Sequence, residues 1–273
     1  MCTPLFDPKV DYIFKNLFGS EKHPNILISF LNACIRPKNS IVSVQLKNTE
    51  IPREYIESSF SRLDILAKTD KGELINIEMQ RADEKNMIKR TLYYWSKAYS
   101  GEYNGHSKYE KLPRTICINV LDFNLLPEEK EYHNVYLLTN SKNRNILTDT
   151  MEIHFIELPK MNEINLNDPL TMWTAFLNDP NDEKVINSEI SFPEIHEARE
   201  ELARLSRDPK EIEHYRMRQN AENEKHNALL TARDNAKEEI VRKLFKMNFS
   251  LEMIAEATEF SVEKIKLILE EKR

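Results

Sequence analysis

Few residues in this chain combine a reactive type with a spacing that does chemistry. The seven histidines are scattered and form no HxH or HExxH pattern, which argues against zinc catalysis. Cys2, Cys34 and Cys117 are odd in number and far apart. They make neither a disulfide framework nor a zinc spacing, and read as small thiols of a reducing, cytoplasmic setting. No Ser-His-Asp nucleophile arrangement presents itself. The informative stretch is FSRLDILAKTDKGELINIEMQ, residues 60–80, in which Asp64, Glu78 and Gln80 flank a turn signal. Two carboxylates held side by side suit a hard cation such as Mg²⁺, which keeps several waters, one of them a nucleophile in waiting. An amide beside them orients a water or holds an oxygen, but it is no base near neutral pH.

These residues meet only if the segment is a hairpin in one register. Asp70-Lys71-Gly72 suits a three-residue connection, a type I turn closed by a left-handed glycine. It pairs Thr69 with Glu73 and sets Asp64 opposite Glu78. Leu63, Ile65, Ala67, Ile75, Ile77 and Met79 then share one apolar face, and Arg62, Asp64, Leu66, Lys68, Leu74, Asn76, Glu78 and Gln80 share the other. A slip of one residue would mix both sets. Opposed acids repel by some tenths to about 1 kcal/mol, and a cation between them reverses the sign. The plain alternative is the solvated polar face of an ordinary hairpin.

The rest of the chain supplies the frame. Val10, Phe14, Leu17 and Phe18 mark one face of a first helix that ends at Gly19, and residues 23–35 a second helix closed by Pro37. The period then shifts toward 2, with strands at 41–46, 60–68 and 73–80. A helix follows over 84–100, then strands at 115–121, 135–138 and 152–158. From Pro169 the pattern is helical and charged: 171–177 with Trp173 and Phe176 for a core, 194–206, and a long 210–246 segment that is polar on all sides. Residues 250–271 read as two short helices capped by Ser250 and Ser261, with Ile254, Ala255, Phe260, Val262, Ile265 and Ile268 in contact. The fold class expected is α/β, a mixed central sheet flanked by helices with a helical C-terminal region. The expected division is 1–168, a helical arm over 169–249 and a small module over 250–273.

Length and composition fit a globular chain with a substantial core: 273 residues, 40% hydrophobic and 31% charged, with only four glycines. No apolar run approaches the roughly 20 residues that cross a bilayer, so no membrane partner is expected. The net charge of −6 is uneven, since residues 1–125 hold 18 Lys+Arg against 15 Asp+Glu and residues 126–273 hold 21 against 30. A basic face is available only in the first half.

At these residues the sequence resembles the PD-(D/E)XK nuclease superfamily, and more narrowly its recombination-promoting nuclease / putative transposase branch. The likeness runs through DYIFKNLFG at 11–19, ILISFLN at 26–32, SRLDILAKTDKGELINIEMQ at 61–80, KRTLYYWSKAYS at 89–100, a strand near 116–123 and IAEATEFS in the tail. The LD…IEMQ pair is its specific part. The resemblance implies a restriction-endonuclease-like core, with Asp64 and Glu78 as the metal-binding acids and Asp11 as an acid that completes the metal site. It implies Mg²⁺ or another divalent cation, DNA as partner, and a link to recombination or mobile elements. Gln80 stands where most of the superfamily has lysine, as is common in this branch, and leaves open which group activates the water.

Further candidates are read from position. Lys15 faces phosphate or simply solvent. Arg90, Tyr94 and Lys97, at i, i+4 and i+7, share a helix face suited to the DNA backbone or to water, while Tyr93 and Trp95 read as core. The tail resembles a helix-turn-helix but lacks base-reading arginines and asparagines; a packing or oligomerising module is the competing reading, so self-association through the C-terminal region stays a candidate. Three functions follow in order: a metal-dependent DNA endonuclease with little sequence preference, a catalytically inactive nuclease-fold module that binds DNA or protein, and a transposase proper.

Overall fold

The hairpin at the centre of the chain forms in the register its apolar face demands. In the computed structural model, which describes residues 4–48, 63–103 and 108–270, β2 (Ile65–Thr69) and β3 (Leu74–Gln80) are antiparallel, with Ile65 opposite Ile77 and Ala67 opposite Ile75. Gly72 takes a φ of 81°, a conformation that a side chain would strain, and the Thr69 N–H donates to the Glu73 carbonyl across 2.9 Å. Residues 49–62, and with them Arg62 and the start of the strand expected from residue 60, lie outside the described residues.

The six strands of the sheet run in the order β1-β2-β3-β4-β6-β5. β1 (Val44–Leu46) pairs antiparallel with β2, and β4 (Thr115–Leu121) runs parallel to both β3 and β6 (Ile146–Glu157). β5 (His133–Thr139) closes the far edge antiparallel to β6. β4 is buried at every residue, as a central parallel strand covered on both faces must be.

On one face lie α1 (Asp11–Phe18), α2 (Pro24–Ile35), α4 (Pro169–Asn178) and α6 (Pro193–Leu205). Their core is aromatic: Phe18 and Phe30 centroids are 5.2 Å apart, and Trp173 lies 5.5 Å from Phe18. α4 and α6 thus complete the same core as α1 and α2. The other face carries α3 (Met87–Gly101) over Cys117, Leu121, Ile153 and Phe155. α3 begins three residues later than the sequence predicts because Lys85 takes a left-handed φ of 61° and keeps the preceding chain in a turn. β6 begins six residues earlier than expected, because its exposed start pairs with β5 alone. A short helix with no strong sequence signal, α5 (Glu183–Ser188), is capped by the Asp182 carboxylate.

The described residues fall into two units, Met1–Tyr215 and Arg216–Arg273, with α7 (Pro209–Lys246) contributing to each. Within the second unit, α8 (Leu251–Thr258) and α9 (Val262–Glu270) pack Ile254, Ile265 and Ile268 against Val241. The Ser250 side chain accepts from the Met253 N–H, the cap its position predicts. Among the described residues, no helix is long and apolar enough to cross a membrane.

Candidate active site

Asp64 stands at the mouth of β2 and Glu78 sits near the end of β3. Extending the observed pairing by one step sets them opposite each other. Each carboxylate is tied to the opposite strand's backbone: the Met79 N–H donates to Asp64 Oδ2 across 2.9 Å, and the Asp64 N–H to Glu78 Oε1 across 3.3 Å. Asn76, two residues before Glu78 and so on its face, donates from Nδ2 to the same Oε1 at 3.3 Å. Position on the polar face was the available signal for Asn76, but sequence alone attaches no role to it.

Along β3 as far as Glu78 this face is not solvated. Glu78 is only 5% exposed and Asn76 1%, because β3 is an inner strand whose polar face lies beneath α3. Burial, with the neighbouring Asp64 charge, pushes the Glu78 carboxyl up to about 8. Burial also pushes Asp64 up to about 6, against the pull of Lys15 and with the help of Asp11.

α1 delivers a cation and a third acid. Its apolar stripe of Ile13, Phe14, Leu17 and Phe18 is buried, which turns Asp11 and Lys15, one helical turn apart, toward the acids. Lys15 Nζ lies 2.6 Å from Asp11 Oδ1 and 2.9 Å from Asp64 Oδ1. Burial alone would weaken its charge, but Asp64 and Asp11 hold its pKa above the ordinary lysine value. The helix stops at Gly19 where a Cβ would come within 2.6 Å of the Lys15 carbonyl oxygen. Asp11 therefore meets Asp64 through the ammonium rather than directly.

Gln80 ends β3, with its side chain held at both ends. Its Oε1 accepts from an Arg90 guanidinium nitrogen, and its Nε2 donates to the Ala82 carbonyl at 3.1 Å. Arg90 also pairs with Glu84 at 3.3 Å. The remaining α3 candidates separate. Tyr94 is 8% exposed and turned inward, whereas Tyr93, which the sequence assigns to the core, is 37% exposed and lies beneath the Lys97 ammonium, 5.6 Å from its ring centroid. Trp95 is half-buried and donates from Nε1 to the Thr115 carbonyl at 2.9 Å. Tyr94 shares the buried stripe of α3 with Met87, Thr91 and Ala98, which leaves the adjacent Tyr93 on the outer side.

The donor set suits a hard divalent cation. Glu78 is buried and Asp64 partly buried, the ionisation of both is opposed, and with Asp11 they carry three potential negative charges against one ammonium. A mixed sheet flanked by helices carries these paired acids on two adjacent inner strands, where they could hold such an ion. The comparison with protein families is more specific. The model of the PD-(D/E)XK nuclease family transposases matches residues 8–232, and the chain belongs to that family. Comparisons with curated proteins and with solved structures gave no match.

Proposed function

We propose that the chain is a Mg²⁺-dependent DNA endonuclease that hydrolyses phosphodiesters with little sequence preference, in the service of recombination or mobile elements. The observation that carries this reading is the Asp64–Glu78 pair, one acid buried and one partly buried, each tied to the other's strand and held together at a cost that a divalent cation removes. Asp64 and Glu78 would hold the ion, with Asp11 beside them across Lys15. Such an ion, when bound, supplies a water of lowered pKa and neutralises charge on the phosphate. The chain's own residues do the rest. The Lys15 ammonium, held beside Asp11 and Asp64 and kept protonated by them, would face a phosphate oxygen. Gln80, fixed by Arg90, aligns water or a phosphate oxygen through its amide and accepts no proton. Arg90 and Lys97 add backbone contacts that carry affinity without reading bases; Tyr94 contributes by packing.

One observation favours a second reading, an inactive nuclease-fold module: Lys15 already neutralises Asp64 and Asp11 internally. Plasmid nicking with Mg²⁺, with EDTA and with Asp64→Ala separates the two. The nuclease nicks only with metal, and the folded variant falls by at least about a thousandfold. A folded wild-type protein inert over a range of Mg²⁺ and Mn²⁺ concentrations would favour the module, and binding assays on the C-terminal half would follow.

A further inference from the structure

On the opposite face of the sheet, three residues far apart in sequence bring metal-binding atoms together. Cys34 lies in the last turn of α2, His133 opens β5 and His154 lies in β6. His133 Nε2 is 2.9 Å from His154 Nδ1, and Cys34 Sγ is 3.5 Å from His154 Nδ1 and 3.9 Å from His133 Nε2. All three donor atoms lie within 4.8 Å of one another, and among the described residues no other group of three or more Cys, His, Asp or Glu does so. We propose that Cys34, His133 and His154 form a binding site for Zn²⁺, separate from the Asp64–Glu78 pair.

The geometry needs little adjustment. Tetrahedral zinc with ordinary bond lengths separates two nitrogens by about 3.3 Å and a nitrogen from a thiolate sulfur by about 3.6 Å. The observed separations fall within a few tenths of an ångström of these. The tautomer is also arranged for a ligand. His154 Nε2 faces Glu152 Oε1 at 2.7 Å, and a carboxylate only accepts, so the ring proton sits there and the Nδ1 lone pair points at His133 and Cys34. Glu152 is held in turn by Arg114 at 2.5 Å, and Arg114 by Glu73 at 2.8 Å. A carboxylate behind a histidine is the arrangement that orients zinc ligands. Without metal, His133 Nε2–H would donate to that lone pair across 2.9 Å.

The ligand set selects the ion. One thiolate and two imidazoles suit zinc and disfavour Mg²⁺, which seeks oxygen. Cys34 and His154 are buried, and a cavity of about 390 Å³ lined also by Arg36 and Glu131 adjoins them. The fourth position therefore opens on space for a water or a small anion, as in zinc sites with three protein ligands. The two sites share no residue. Glu78, Asn119 and Phe155 align in one row across the sheet toward α3, whereas Ile77, Ile118 and His154 align in the row facing α1 and α2. The ion would fasten the β5–β6 edge to α2.

The test is Co²⁺ and Zn²⁺ titration of the full chain, reduced and freed of metal. One equivalent of Co²⁺ is expected to give a thiolate-to-metal charge-transfer band with tetrahedral visible bands, and one equivalent of Zn²⁺ to bleach both. Cys34→Ser should lose the charge-transfer band. Glu152→Gln should weaken Zn²⁺ binding by about 10–100-fold, and the pair Asp64→Ala with Glu78→Gln should leave the spectrum intact. His133 is half-exposed, so His133→Asn serves as the ligand variant should Cys34→Ser fail to fold; it should weaken Zn²⁺ binding by more than the Glu152 change. A folded wild-type chain with no charge-transfer band at several equivalents of Co²⁺ would overturn the site. So would a band that survives Cys34→Ser, or Zn²⁺ affinity unchanged in folded His133→Asn.

Discussion

Replacing Glu78 with glutamine removes a charge without changing shape, and the consequence for folding can be worked out. The Glu78 carboxyl stands at about 8 in the folded chain against an ordinary 4.5. Between those values the folded site holds more protons than the unfolded chain, so stability falls as pH rises through the window and levels off above it. Each tenfold in proton affinity is worth about 1.4 kcal/mol, which makes about 5 kcal/mol the ceiling for full ionisation. Asp64 shares that penalty, and the pair titrates as a unit, so an alkaline loss of about 2–4 kcal/mol is expected. Glu78→Gln should abolish most of it.

The assay is urea unfolding in EDTA at pH 5 and pH 9, followed by tryptophan fluorescence. The chain has two tryptophans, Trp95 and Trp173, both in the first unit, so the signal reports that unit alone. Wild type and variant should differ little at pH 5, and the variant should be the more stable at pH 9. Mg²⁺ at a hundred times its Kd should add about 2.7 kcal/mol to wild type and much less to the variant. An equal difference between the two proteins at both pH values would refute the buried-acid reasoning. Equal Mg²⁺ stabilisation would show that Glu78 does not hold the ion.

Gln80 and Arg90 should act together, because the guanidinium fixes the amide. Gln80→Ala and Arg90→Ala should each lower nicking by about 10–100-fold, and the double variant should be little worse than the more damaged single; losses that multiply would mean separate roles. Trp173→Ala should cost about 3–5 kcal/mol, since its ring is 1% exposed among Phe18, Phe30 and Phe176. Urea unfolding followed by Trp95 fluorescence checks this, and a loss below about 1 kcal/mol would show that the neighbouring helices close over the gap.

What the chain's own pattern determines is local. Alternation along residues 63–80 allows one register, because any slip carries the whole apolar set to the wrong face, and Gly72 at the turn agrees with it. The stripe of α1 likewise faces Asp11 and Lys15 away from the core. The carboxylate pair was therefore legible from residue types and spacing, as was membership of a helix-flanked mixed sheet.

Burial of Glu78 was not legible, because it depends on which element covers the polar face of β3, and alternation alone suits a solvated face equally well. Only the packing of α3 across the sheet makes Glu78 and Asn76 interior and so raises the cost of charge there. The rotation of α3 that buries Tyr94 and exposes Tyr93 was hidden for the same reason, since adjacent residues on a helix differ by about 100° and the side that turns inward is set by packing on the sheet. The gathering of Cys34, His133 and His154 lies furthest from sequence reasoning. Their donors meet because β6 inserts beside β4, which brings His154 under the end of α2 and carries His133 with it on the edge strand. No spacing rule reaches across 120 residues between Cys34 and His154; only the strand order does.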